Sequence, residues 1–318
     1  MQTGLTHNLR TNTIAAISLC LIFVAGALAQ VGKPPSLRSI TVVSEPASTV
    51  WIDGVRYGVT DDTGRLMISS VPSGVRTLRV RATGFSEVSR PLPAAARGDV
   101  TVKLLKTTDE AELAYQSAEA QTTVDREKAI AEYQRALKLK PKYFAAYIGL
   151  ARAYSERGDI ENAFKALQAA KRLRPTDAEA TVIEARLLKD SGEEDKAIAT
   201  FKRAIAQGRG FQPEANTGLG LLYKERAESA GGSGNYEEEA TSYNEAAKYL
   251  AVAIKQLGSA PDAVVVYQLL GLIYEQQKKY KEAIALYEDF LRIFPDVSEA
   301  AAVASFIVQI KKQMAEPK

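Results

Sequence analysis

The sequence predicts two fold classes in one chain, a small all-β region followed by an all-α array of helix pairs. Short runs of strand-forming residues alternate with turns between residues 38 and 106, and a two-helix segment recurs from residue 107 onward. An apolar segment precedes both regions. We therefore predict a leader over 1–29, a linker over 30–37, a β-sandwich over 38–106, five helix pairs with a closing helix over 107–312, and a tail over 313–318.

The N-terminal segment has the pattern of a secretory signal peptide. Residues 14–24 are mostly apolar, no charge lies between Arg10 and Lys33, and Ala27-Leu28-Ala29 fits the small-residue rule for signal peptidase. Cleavage there would make Gln30 the first mature residue. We expect export to a periplasm or cell envelope; an uncleaved N-terminal anchor is the alternative, and only then would the chain bind a membrane.

The composition argues against catalysis. The only histidine, His7, and the only cysteine, Cys20, both lie in the leader, so the mature chain would lack imidazole and thiolate chemistry. Asp61-Asp62 lies in a predicted turn and Glu237–Glu239 at a predicted helix start, where acidic residues have structural roles. We expect no enzyme activity, catalytic residue, cofactor or metal. The net charge of +3 gives no reason to expect nucleic-acid binding.

The β region is built from short strands joined by turns. Asp53-Gly54 separates two strand-forming runs, "TVWI" and "VRYG", and is a strong hairpin signal because both positions tolerate a positive φ. In "VRTLRVRA", Leu78, Val80 and Ala82 share a face with Arg76, and we predict that this face points to the core. The close spacing of strands and turns favours a small β-sandwich.

The segment "SEPASTVWIDGVRYGVT…VPSGVRTLRVRATGF" resembles a PEGA domain, although Ala47-Ser48 departs from the namesake Gly-Ala. The stretch "TDDTGRLMISSVPSG" is also similar to β-sandwiches of the carboxypeptidase-regulatory type. Both resemblances imply a β-sandwich without enzyme activity, and PEGA domains imply an extracytoplasmic surface protein. Trp51 and Tyr57 could stack on sugars, or pack internally. The β region carries ten Lys and Arg against six Asp and Glu, so a cell-wall polymer is a possible ligand.

A repeat is visible in the second half of the chain. The segments starting at residues 128, 162, 196 and 282 are versions of one helix, and Ala129, Ala163 and Ala197 are 34 residues apart. A period of 34 with two helices per unit resembles the tetratricopeptide repeat. The matching residues of the second unit are Tyr147, Leu150, Ala151, Tyr154, Ala163, Leu167, Ala170 and Pro175; those of the fifth are Tyr267, Leu270, Gly271, Tyr274, Ala283, Tyr287, Phe290 and Pro295.

The resemblance implies a concave groove lined by the first helix of each unit, with facing residues at the second, fifth, ninth and twelfth positions. The ninth positions are Arg152, Arg186, Leu221 and Leu272, and the twelfth include Lys189 and Lys224. We expect these six residues to form a partner-binding groove whose cations receive an acidic or C-terminal carboxylate segment. The alternative is a solvated face with local ion pairs, such as Arg152 with Glu156.

The predicted function is a non-enzymatic protein–protein interaction scaffold, or adaptor, of the cell envelope. The repeats would bind a partner protein or peptide, and the β-sandwich would attach to an envelope component. One alternative is a carbohydrate- or wall-binding module presented by the repeats. The other is a regulatory subunit of an envelope enzyme.

Overall fold

The computed structural model describes residues 38–315. The predicted leader, its cleavage site and the whole predicted linker lie outside these residues, as do His7 and Cys20. Within residues 38–315, seven strands come first and are followed by eleven helices. The strands are β1 (Arg38–Val43), β2 (Thr49–Ile52), β3 (Val55–Val59), β4 (Arg65–Val71), β5 (Arg76–Arg81), β6 (Val88–Leu92) and β7 (Gly98–Thr101).

The strands form two sheets. One has the order β4-β1-β7, with β1 and β7 parallel, and the other has the order β3-β2-β5-β6 and is antiparallel throughout. The hairpin between β2 and β3 turns at Asp53 and Gly54, whose φ angles are 50° and 83°, as the sequence predicts for this pair. Apolar residues of both sheets, among them Val42 and Leu78, belong to one buried cluster.

The face of β5 that the alternation assigns to the core is buried, since Leu78, Val80 and Ala82 are almost inaccessible to solvent. Arg81, which the alternation places on the opposite face, is also buried. The reason is a helix that covers this second face: Arg81 contacts Tyr115 and Glu119 of that helix. The C-terminal end of β5 is therefore buried on both faces, which local pattern alone does not reveal.

The helices follow one another in pairs. The five pairs are α1 (Glu110–Gln121) with α2 (Arg126–Leu139), α3 (Phe144–Glu156) with α4 (Ile160–Leu173), α5 (Ala178–Asp190) with α6 (Glu194–Gln207), α7 (Pro213–Gly232) with α8 (Tyr236–Leu257), and α9 (Ala263–Gln276) with α10 (Tyr280–Ile293). The last helix, α11 (Ala300–Ala315), extends into the segment that the sequence analysis assigns to the tail. Within residues 38–315, no helix is both long and apolar enough to cross a bilayer.

Small residues allow neighbouring helices to approach closely. Gly149 on α3 lies against the ring of Tyr133 on α2, the last helix of the preceding pair, and Gly271 on α9 lies against the ring of Tyr287 on α10 of the same pair. A Cβ atom at Gly271 would lie 2.2 Å from the Tyr287 hydroxyl oxygen, which is well inside van der Waals contact. Ala151, Ala163 and Ala283 are fully buried, so small side chains also allow close helix packing elsewhere.

The β region packs against both the first and the later repeats. At α1, the Gln116 side chain accepts a hydrogen bond from the Gly84 amide (2.9 Å) and donates one to the Phe85 carbonyl (2.8 Å). At the α8–α9 connection, the Tyr57 hydroxyl donates to the Leu257 carbonyl at 3.0 Å. One buried apolar cluster contains residues of the two sheets together with residues of α7 to α11. The two sheets and the helices α7 to α11 therefore share a core.

Trp51 and Tyr57 do not provide a sugar-stacking surface. Trp51 is 8% exposed, and its ring contacts the guanidinium groups of Arg79 and Arg81, whose carbons are 4.3 and 4.9 Å from its centroid. Tyr57 is 6% exposed and bonded through its hydroxyl group. Aromatic rings that bind sugars by stacking need a free face. The carbohydrate-binding alternative thus loses the two aromatic residues on which it depended.

Candidate functional site

A cavity lies between the β2–β3 hairpin and the first helices of the second to fifth pairs. Its volume is about 790 Å³, within the range that small ligands and short peptide segments occupy. The hairpin contributes Asp53 to Arg56, and β5 contributes Arg79. The helices contribute Arg152, Glu179, Arg186, Lys189, Asp190, Glu214, Leu221, Asp262, Val265 and Val266. The cavity therefore has one wall from the β region and one from the repeats.

Four of the six groove residues predicted from the sequence meet at this cavity: Arg152, Arg186, Lys189 and Leu221. The other two, Lys224 and Leu272, line a second cavity of about 440 Å³ with Glu228, Glu239 and Tyr243. Leu221 and Lys224 are one turn apart on α7, and Val265 and Leu272 are two turns apart on α9. The two cavities therefore follow one another along α7 and α9, the first helices of the fourth and fifth pairs.

The arginines of the groove are held by carboxylates of later repeats. Arg152 donates to the Glu214 carboxylate from Nη1 at 2.9 Å and from Nη2 at 2.8 Å. Its Nη2 also donates to Glu179 at 3.4 Å. Arg186 donates to the same Glu214 carboxylate at 3.1 Å. The predicted local pair of Arg152 with Glu156 is wrong, because Glu156 pairs with Arg126 instead. Arginine at a ninth position therefore pairs with glutamate at the second position of a following unit.

The two lysines are also paired. The Lys189 ammonium group lies 2.8 Å from Glu225, and the Lys224 ammonium group lies 2.6 Å from Glu228. All four cations predicted to receive a partner's carboxylate thus already contact a carboxylate of the chain itself. An acidic segment would have to displace these internal partners, so the geometry does not favour the predicted acidic ligand.

The charged groups of the cavity shift one another's pKa values. Burial would raise the pKa of Glu214, but Arg152 and Arg186 outweigh it and lower that pKa to about 2. Burial raises the pKa of Glu179, which Arg152 opposes in part. Burial also raises the pKa of Asp262, with a further contribution from Glu214 and an opposing one from Arg56. The Glu214 carboxylate is therefore ionised at neutral pH, and it contacts two guanidinium groups.

The same positions are apolar at the C-terminal end of the groove. Leu221 replaces arginine at the ninth position of the fourth unit, and Val265 replaces glutamate at the second position of the fifth. Val265 is 57% exposed and Leu272 is 56% exposed. We call Leu221, Val265 and Leu272 the inner strip. Val265 is at a position that sequence reasoning missed, although the second position of the repeat would have pointed to it.

The acidic clusters offer no further chemistry. Across residues 38–315, no group of three or more His, Cys, Asp or Glu side chains is placed to hold a metal ion. Asp61 caps its own turn, since its carboxylate accepts from the amides of Thr63 and Arg65 at 2.9 Å each. Glu237 to Glu239 lie in the first turn of α8. The two acidic clusters therefore have the structural roles that the sequence suggests.

Comparison with known proteins identifies the repeats. Tetratricopeptide-repeat family models match residues 125–181 and 264–297. The chain contains tetratricopeptide repeats. Proteins built from these repeats generally mediate protein–protein interaction. The β region lies outside both matches.

A curated protein and two solved structures are similar to part of this chain. Superkiller protein 3 of Schizosaccharomyces pombe is 38% identical over 79 residues, which are 25% of this chain and 6% of that protein. The chain thus spans a small fraction of this curated relative. The crystal structure of yeast Tom70 superposes with a TM-score of 0.51 at 20% identity, over 65% of this chain and 41% of Tom70. A thermophilic TPR protein of Thermus thermophilus gives a TM-score of 0.47 at 16% identity, over 62% of this chain and 99% of that protein.

Proposed function

We propose that this chain is a non-enzymatic adaptor that binds a segment of a partner protein along the inner strip. The observation that carries the proposal is the exposure of Val265 and Leu272 on the first helix of the fifth pair, beside two consecutive cavities. First helices elsewhere in the groove present charged residues that are paired internally. Exposed apolar side chains in a concave surface are typical of protein-interaction sites.

The β region takes part in this proposed site as a fixed wall. Asp53 to Arg56 and Arg79 line the same cavity as the helices, and the Tyr57 hydroxyl ties the hairpin to the α8–α9 connection. We propose that the adaptor acts as one body, with the sheets limiting the width of the groove. We also propose that the β region is a PEGA-like domain and that the adaptor acts in the cell envelope.

Site-specific photocross-linking tests the proposed site. A photoreactive amino acid is placed at Val265 or at Leu272 in cells that make the protein, and cross-linked products are identified by mass spectrometry. Val124 is the matched control, because it is an exposed apolar residue (80%) in the turn between α1 and α2. We expect a common product from both inner-strip positions and none from Val124. Equal yields at all three positions, or none at the inner strip, would contradict the proposal.

Export is a separate proposal with its own test. The signal-like pattern before Ala29 predicts cleavage and a mature chain that begins at Gln30. N-terminal sequencing of the protein from its native cells measures this directly. A chain that begins at Gln30 and lies in the envelope fraction is the expected result. An intact N-terminus in the membrane fraction would instead favour the uncleaved anchor.

A further inference from the structure

Some charged side chains around the inner strip have no ion-pair partner. Of the charged side chains lining the larger cavity, three have no ion pair within 4.0 Å among residues 38–315: Arg56, Asp190 and Asp262. In the smaller cavity, Glu239 is unpaired by the same measure, whereas Lys224 and Glu228 pair with each other. The groups without an ion pair at this distance are therefore three carboxylates and one guanidinium.

These carboxylates line the same two cavities as the inner strip. Asp190 is the last residue of α5, where the negative end of the helix dipole adds to its own negative charge. Asp262 directly precedes α9, which carries Val265 and Leu272. Glu239 lies in the first turn of α8 and lines the cavity that contains Leu272. Apolar surface is thus flanked by negative charge at both cavities.

The groove cations are not readily available to a ligand carboxylate, because they are already paired. Arg152 and Arg186 share Glu214, and a ligand carboxylate could reach them only by leaving that half-buried glutamate without a partner. Arg56 is the exception, but its charge already acts on Asp262, where it opposes the rise in the pKa of that carboxyl. A ligand cation, in contrast, meets Asp190, Asp262 and Glu239 without breaking an existing ion pair.

We propose that the inner strip selects a partner segment that carries both apolar and basic side chains, with the apolar groups on Leu221, Val265 and Leu272 and the basic groups on Asp190, Asp262 and Glu239. This inference rests on the proposed function and names the chemistry of its partner. It reverses the charge that the sequence pattern predicts. Charge complementarity of this kind sets specificity and association rate more than total affinity.

Two labelled peptide probes test the preference against the full chain. They share the same leucines in a serine background, and one has lysines where the other has glutamates. Fluorescence anisotropy measures both Kd values at low and high salt. We expect the lysine probe to bind about tenfold more tightly at low salt, and the difference to shrink as salt screens the carboxylates.

Variants separate charge from apolar contact. Asp190→Asn with Asp262→Asn and Glu239→Gln should reduce the preference for the lysine probe to about twofold or less. The matched control neutralises three carboxylates away from the cavities, Glu110→Gln, Glu161→Gln and Glu282→Gln, and should leave the preference unchanged. Circular dichroism confirms that both variants are folded.

Three results would overturn the inference. One is equal or tighter binding of the glutamate probe, and another is a preference that survives neutralisation at the inner strip. The third is no binding of either probe by a chain that still cross-links a partner through Leu272; the proposed function would then stand without its charge preference. Loss of both probe binding and cross-linking would remove the proposed function as well.

Discussion

The two halves of the concave surface use the same helix positions for opposite purposes. In the second to fourth pairs, Arg152 and Arg186 face Glu179 and Glu214, and these side chains neutralise one another. At the fourth and fifth pairs, the equivalent positions hold Leu221, Val265 and Leu272, which are apolar and cannot form ion pairs. The charged half thus joins successive repeats, whereas the apolar half leaves Val265 and Leu272 exposed.

The comparison predicts that Glu214→Ala has the largest effect on stability. It leaves Arg152 and Arg186 side by side without their shared carboxylate, and we expect the free energy of unfolding to fall by about 3 kcal/mol. Urea unfolding followed by circular dichroism measures the change. Glu161→Ala is the control, since its pair with Lys165 is exposed to solvent and should change the free energy of unfolding far less. Equal losses for both variants would show that the charged half does not join the repeats.

Helix packing should be alike in the two halves, and glycine substitutions test this. Gly149→Ala in the charged half and Gly271→Ala in the apolar half each place a methyl group against a tyrosine ring. We expect each to lower the free energy of unfolding by about 2 kcal/mol, because the ring must move. Gly232→Ala is the control, since nothing lies within 4 Å of its added Cβ. A large loss at only one of the two glycines would mean that the halves differ in packing as well as in facing residues.

Acid should remove the contribution that Glu214 makes to the stability of the charged half. The ordinary pKa of a glutamate, 4.5, falls to about 2 at Glu214 because Arg152 and Arg186 outweigh the effect of burial. A carboxylate with a lowered pKa stabilises the folded chain above pH 4.5, and this contribution is lost as the pH falls toward 2. The stability difference between the native chain and Glu214→Gln, measured by urea unfolding, should therefore shrink between these pH values. A difference that stays constant or grows on acidification would contradict this assignment.

Local pattern predicted the helix pairs and the hairpin well, because both depend on short-range rules. The 34-residue spacing of Ala129, Ala163 and Ala197 reflects a helix–turn–helix unit, and Asp53-Gly54 reflects a turn with positive φ. The residues of the groove could also be predicted, since their positions within the unit fix which way they face.

The pairing of those residues could not be predicted, because it depends on contacts between distant parts of the chain. Arg152 and Glu214 are 62 residues apart, so a search for pairs within one helix finds Glu156 instead. Tyr57 and Leu257 are 200 residues apart, and nothing local signals that the β region packs on the repeats. Such contacts determine that most of the unpaired charges in the groove are negative. For this reason the sequence alone favoured an acidic partner.

The smallest effect on stability should accompany the largest effect on binding. Leu272→Asn removes an exposed side chain that supports no packing, so we expect the free energy of unfolding to change by less than about 0.5 kcal/mol. The same variant should abolish the cross-link formed through Val265, because a polar amide replaces the apolar contact between the two cavities. Leu113→Asn, at a half-exposed leucine of α1, is the control and should leave cross-linking intact. If Leu272→Asn instead destabilised the chain by several kcal/mol, the inner strip would belong to the core, and the two halves of the groove would both be structural.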